Sequence, residues 1–187
     1  MIQPSGLQTF SIFDFELNAE ELHERHHLTF DTYEEGKLTL SEYLKRTVFY
    51  EERSFSENDF ITFMFKQSLP YQDTIDFFKE IKKRYQLKII AVSNEGRELN
   101  AHRIQTFKLN ELFDAFVCSS FVHMRKPDTD IFRMAIDISQ TSPGNALYID
   151  DRQMFVEIAK TIGLNGLHYL ELDTAKKQLS EFGLSIL

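Results

Sequence analysis

Four short apolar runs, residues 87–92, 115–118, 146–149 and 166–169, alternate with stretches of amphipathic helical pattern around residues 99–107, 127–138 and 153–162. That alternation restricts the fold more than any other feature. Buried strands joined by helical crossovers build a parallel sheet covered on both sides. The expected class is therefore α/β, a Rossmann-like parallel sheet with helices on both faces. Pro127 suits the first position of one helix and Gly163 the C-terminal cap of another. In such sheets ligands bind beyond the carboxyl ends of the strands, so the residues that follow the runs are expected to carry the chemistry.

The N-terminal part has a different texture. Asn18 caps a helical segment reaching residue 28, Thr39 and Glu42 form a capping box, and Ser56 opens a helix over residues 59–67. Residues 29–37, with Asp31, Glu34, Glu35 and Gly36, read as a loop. A further helix follows Pro70 and ends in Lys82, Lys83 and Arg84, a basic end that complements the helix dipole. This predicts an N-terminal segment, residues 1–17, serving as a replacement core strand, then a small helical cap, residues 18–69, and an α/β core, residues 70–187.

At 187 residues the chain can form one domain with a small insertion, and its eighteen Phe supply ample core. A net charge of −8 argues against a nucleic-acid surface and against an anionic membrane, so neither partner is expected. No run of eighteen apolar residues exists, and the first six residues lack a signal peptide's basic start and apolar core. A cytoplasmic location is expected. The single Cys118 excludes an intramolecular disulfide and a Cys-based metal cluster, and within its apolar run it reads as a small buried hydrophobe.

Three polar stations follow these runs. Ser93-Asn94 offers a hydroxyl and backbone amides, a cradle for phosphate oxygens. Lys126, immediately before Pro127, can reach back to the sheet rim and neutralise a phosphoryl group and a carboxylate. Asp150 and Asp151 end a buried run, where adjacent carboxylates repel unless a cation lies between them. Oxygen-only ligation there suits Mg²⁺.

The order of Ser93-Asn94, then Arg125-Lys126-Pro127-Asp128, then Asp150-Asp151-Arg152 before a helix ending at Gly163 resembles the haloacid dehalogenase-like hydrolases. The likeness covers residues 70–170, and the helical region before it is similar to the cap many members insert after their first strand. The resemblance implies a Mg²⁺-dependent phosphatase acting on a small phosphorylated metabolite. Ser93 would hold a phosphoryl oxygen, Lys126 would orient the nucleophile, Asp151 would bind the metal, and Asp150 would assist at it. The family's first motif, Asp-x-Asp-Gly after an apolar strand, has no matching string. Its nearest counterpart is residues 10–18, with Asp14 as nucleophile and Glu16 two residues later. In this fold the first strand lies mid-sheet, and residues 7–13 are the N-terminal segment with the apolar content to fill that place.

Two other readings remain. Without an acidic nucleophile, the chain would be a phosphate- and Mg²⁺-binding relic or a regulatory protein. His23, Glu24 and His27 match the two-His, one-Glu spacing of zinc hydrolases.

Overall fold

Asn18 opens the first helix: its Oδ1 accepts the amides of Glu20 and Glu21 at 3.0 and 3.1 Å. The computed structural model describes Phe15 and residues 17–186. Asp14, Glu16 and the strand expected over residues 7–13 lie outside the described residues. The chain forms two compact units. One comprises the described residues up to Tyr71 with Asn94–Leu109 and Cys118–His123; the other comprises Gln72–Ser93, Asn110–Val117 and the chain from Met124 onward.

In the first unit, α1 is Ala19–Glu34, α2 is Leu40–Thr47 and α3 is Glu57–Lys66. The Thr39–Glu42 capping box forms as expected, and Ser56 and Asp59 form another. Residues 29–34 are helical, not the expected loop. Asp31 is exposed there, while Tyr33 is buried and stacks on Tyr43 at 4.6 Å and Phe30 stacks on His26 at 5.0 Å. Ring burial thus outweighs the loop-like composition of Asp31 and Glu34. The chain turns at Gly36, whose φ is +72° and where a Cβ would lie 2.3 Å from the Ser120 carbonyl oxygen. Leu22, Leu40, Leu44, Val48 and Phe60 form the centre, with Phe15, Phe49 and Phe55 packed on it.

Helix α5, Arg97–Thr106, and the short α6, Ser119–Val122, belong to the same unit. Glu98 accepts the Leu40 amide at 2.9 Å and the Tyr33 hydroxyl at 3.4 Å. The Ser119 hydroxyl donates to the Glu34 carbonyl at 2.6 Å and accepts the Glu95 amide at 3.0 Å. Cys118 is fully buried and its thiol donates to the Glu95 carbonyl. Arg103 pairs with Glu95 and donates through Nε to the Ser68 hydroxyl at 3.2 Å.

Burial pushes the Glu95 carboxyl up to about 7 despite Arg103, with Glu34 adding to the rise. Between pH 4.5 and about 7 the folded chain holds a proton there that the unfolded chain has lost. Stability from this group is complete below the unfolded value and is lost as pH rises through the folded one, at roughly 3 kcal/mol for the whole span. Glu95→Gln is therefore expected to lose less stability than the unmodified chain between pH 5 and pH 8. Parallel denaturation curves across that range check it; equal slopes would contradict the assignment.

In the second unit, α4 is Gln72–Tyr85, β1 is Ile90–Ser93, β2 is Ala115–Cys118, α7 is Thr129–Ser139, β3 is Leu147–Asp150, α8 is Gln153–Thr161, β4 is Asn165–His168 and α9 is Leu172–Glu181. The architecture is mixed α/β, as expected. β3 and β4 pair in parallel, with Leu147 opposite Asn165 and Asp150 opposite His168. Among the described residues β1 pairs with β2 and β3 with β4. Phe77 and Ile81 of α4 pack with Leu167, Ala175 and Leu179.

The expected apolar runs reach their strands with small shifts. β1 starts later and includes Ser93, and β3 includes Asp150. Helix α7 begins after Asp128, whose side chain accepts the Asp130 amide at 3.0 Å, so Pro127 precedes the cap and does not occupy the first helical position. Gly163, at φ +92°, follows α8 as expected. Among the described residues no helix is long and apolar enough to cross a membrane.

Candidate active site

Strand alternation places Tyr148 and Asp150 on the same face of β3, and Asp151 follows beyond its end. Lys126 arrives from the segment before α7, and its Nζ donates to Asp150 Oδ2 at 2.6 Å and to the Tyr148 hydroxyl at 3.2 Å. The Tyr148 hydroxyl donates to the same Oδ2, and the Arg152 amide donates to Oδ1 at 2.9 Å. Lys126 and Asp150 are each only 7% exposed, so the pair is withdrawn from water. Aromatic rings line it: Phe132 meets Tyr148 edge-on at 5.0 Å, and Phe155 lies 4.9 Å from Lys126 Nζ.

Burial opposes ionisation of Asp150, but the Lys126 charge and the bonds from Lys126, Tyr148 and the Arg152 amide hold its carboxyl below the usual range. Burial and the neighbouring Asp150 charge push the Tyr148 phenol well up, which keeps it a neutral donor. Among the described residues the result is a hydrogen-bonded Lys126–Asp150–Tyr148 knot at the carboxyl end of a parallel strand, with an exposed carboxylate next to it.

Of the residues singled out from sequence, Lys126 and Asp150 are in contact and Asp151 adjoins them. The Asp151 side chain is exposed, and its backbone carbonyl accepts from His168 Nε2 at 3.0 Å. Among the described residues its carboxylate accepts no hydrogen bond. Ser93 ends β1 half-buried, and no hydrogen bond joins it to Lys126 or Asp150 among the described residues. Asn94 falls in the other unit. Tyr148 and the Arg152 amide are additions to the expected set. The period of two along β3 already puts Tyr148 beside Asp150, so the signal for it was present in the strand pattern.

The donor chemistry fits a hard cation. Among the described residues the Asp151 carboxylate accepts no hydrogen bond and Asp150 retains one lone pair on Oδ1, an oxygen pair suited to Mg²⁺ completed by water. A zinc centre does not fit. His23 and His27 are exposed on α1, and among the described residues no group of three His, Cys, Asp or Glu is placed to hold a metal ion. Two His on one exposed helix face without a third ligand do not make a closed zinc site.

The model of the haloacid dehalogenase-like hydrolase family matches residues 9–168. A similar curated protein is flavin mononucleotide hydrolase 1 of Arabidopsis thaliana, 30% identical over 79 residues, which are 42% of this chain and 32% of that protein. The matched stretch thus spans about a third of that relative. A crystal structure of a HAD family enzyme from Bacteroides thetaiotaomicron superposes with a TM-score of 0.69 at 19% identity, covering 82% of this chain and 79% of the other. The same enzyme in complex with magnesium and inorganic phosphate gives a TM-score of 0.64 at 17% identity, covering 82% and 87%. At these identities the superpositions establish likeness of fold.

Proposed function

The chain belongs to the haloacid dehalogenase-like hydrolase family, and from that membership we propose that it is a Mg²⁺-dependent phosphatase acting on a small phosphorylated metabolite. The observation that carries the reading is the buried Lys126–Asp150 pair beside the exposed carboxylate of Asp151 at one strand end. Two kinds of relative support it: one named as a hydrolase of flavin mononucleotide, and a similarly folded enzyme that binds magnesium and phosphate.

On this reading Ser93 and the amide that follows it, at Asn94, bind a phosphoryl oxygen. Lys126, fixed by Asp150 and Tyr148, places an ammonium toward the reacting group, where a preset charge needs no reorganisation. Asp151, assisted by Asp150, would hold Mg²⁺, which would supply positive charge against the phosphoryl oxygens. The family match takes in Asp14 and Glu16, which keeps Asp14 as the proposed nucleophile with Glu16 as its acid-base partner.

Phosphate release from p-nitrophenyl phosphate tests this directly. Release is expected with Mg²⁺ and not with EDTA, and Asp151→Asn is expected to lower it by about 10²–10³-fold. Asp14→Asn is expected to abolish it, because no covalent intermediate can form. A folded protein that binds Mg²⁺ and phosphate without turnover would instead establish the non-catalytic reading, in which the extra methylene of Glu16 and the missing Gly after it mark a first motif without covalent chemistry.

A further inference from the structure

Asp150 and Asp151 are the same residue side by side, yet most acceptor capacity of Asp150 is already used. Its Oδ2 accepts from both Lys126 Nζ and the Tyr148 hydroxyl, which occupies both lone pairs of that oxygen. Its Oδ1 accepts the Arg152 amide and keeps one lone pair. Lys126 alone would neutralise Asp150; Tyr148 adds no charge and takes up a second acceptor position. The phenol is also held in place. Its ring abuts Phe132, its hydroxyl accepts from Lys126, and its backbone is fixed by the ladder to β4 opposite Gly166.

Resting on the phosphatase reading, we propose that Tyr148 is a positioning residue that prevents Asp150 from chelating a cation through both oxygens, and so tunes the end of β3 toward Mg²⁺ and against Ca²⁺. Ca²⁺ takes six to eight oxygens at longer distances and accepts bidentate carboxylates readily, whereas Mg²⁺ demands octahedral geometry, keeps several waters and uses one or two carboxylates. A strand end that offers the Asp151 carboxylate, one lone pair of Asp150 and room for water serves the smaller ion. Tyr148→Phe keeps the ring against Phe132 and removes only the hydroxyl. Each oxygen of Asp150 then has a lone pair open, and bidentate contact with a large ion becomes available.

Calorimetric titration of the full chain with MgCl₂ and, separately, CaCl₂, without substrate, provides the test. The unmodified chain is expected to bind Mg²⁺ at least as tightly as Ca²⁺. Tyr148→Phe is expected to shift the ratio of the two dissociation constants toward Ca²⁺ by about tenfold, the lower end of what second partners of metal ligands contribute. A folded variant whose ratio stays within about twofold of the parent overturns the role of Tyr148. Tighter Ca²⁺ than Mg²⁺ binding by the unmodified chain overturns it as well, whatever the variant does. Absence of Mg²⁺ binding to the unmodified chain removes the phosphatase reading itself together with this proposal, an outcome distinct from Mg²⁺ binding with an unshifted ratio.

Discussion

Lys126→Met is expected to cost the chain about 3–5 kcal/mol of stability and to remove phosphate release. The methionine fills most of the volume left by the lysine stem, so packing alone predicts little loss. The cost arises from Asp150, which stays 7% exposed and keeps only neutral donors, the Tyr148 hydroxyl and the Arg152 amide. A buried carboxylate without its cation either pays for its charge or takes up a proton. For a chain of this size the melting temperature should fall by roughly 6–20 °C. Adding Asp150→Asn to Lys126→Met removes the stranded charge while leaving an acceptor for Tyr148, so the double variant should melt above the single one. Thermal or denaturant melts of the unmodified chain, the two single variants Lys126→Met and Asp150→Asn, and the double variant give the coupling between the two sites. A loss below about 1 kcal/mol, the range of exposed pairs, would mean that water reaches the pair.

Phe60→Ala should have an effect of similar size on the other unit. Phe60 is 1% exposed, and the rings of Phe15, Phe55, Phe49 and Phe63 surround it at centroid distances of 5.2, 6.0, 6.2 and 6.4 Å. Truncating such a ring costs about 3–5 kcal/mol, because burial is lost and a cavity remains. Phe60→Leu keeps more of the volume and should lose less. Hydrogen exchange locates the damage: amides of α3 should lose protection well before those of β3, since the two elements belong to separate compact units with separate cores. Equal loss of protection in both would show that they unfold as one.

Local chemistry made much of this fold legible in the sequence. Asn18, Thr39 with Glu42, and Ser56 are capping signals that act over three residues, and each opens a helix as read, Ser56 with Asp59 completing its box. The Lys126–Asp150 contact was legible because a lysine just before Pro127, at the entrance to a helix, can reach back to the sheet rim where Asp150 ends β3. The helical residues 29–34 were hidden because Asp31 and Glu34 carry loop-like composition, while the partner that holds Tyr33, the ring of Tyr43, comes from another helix. The Glu95–Arg103–Ser68 cluster was hidden for the same reason: Ser68 and Arg103 lie 35 residues apart, and nothing in either neighbourhood marks them as partners.

The twin aspartates acquire different meanings from parity alone. Because Asp150 faces His168 across the ladder and Tyr148 shares its side, one of two identical letters points inward and the next lies in water. A one-residue change of length between Tyr148 and Asp150 would put the phenol and that carboxylate on opposite faces of the strand. Point changes at either aspartate alter one function at a time, whereas such a length change would part Asp150 from its phenol donor. Length in this short stretch is thus expected to tolerate less variation than the identity of its apolar residues.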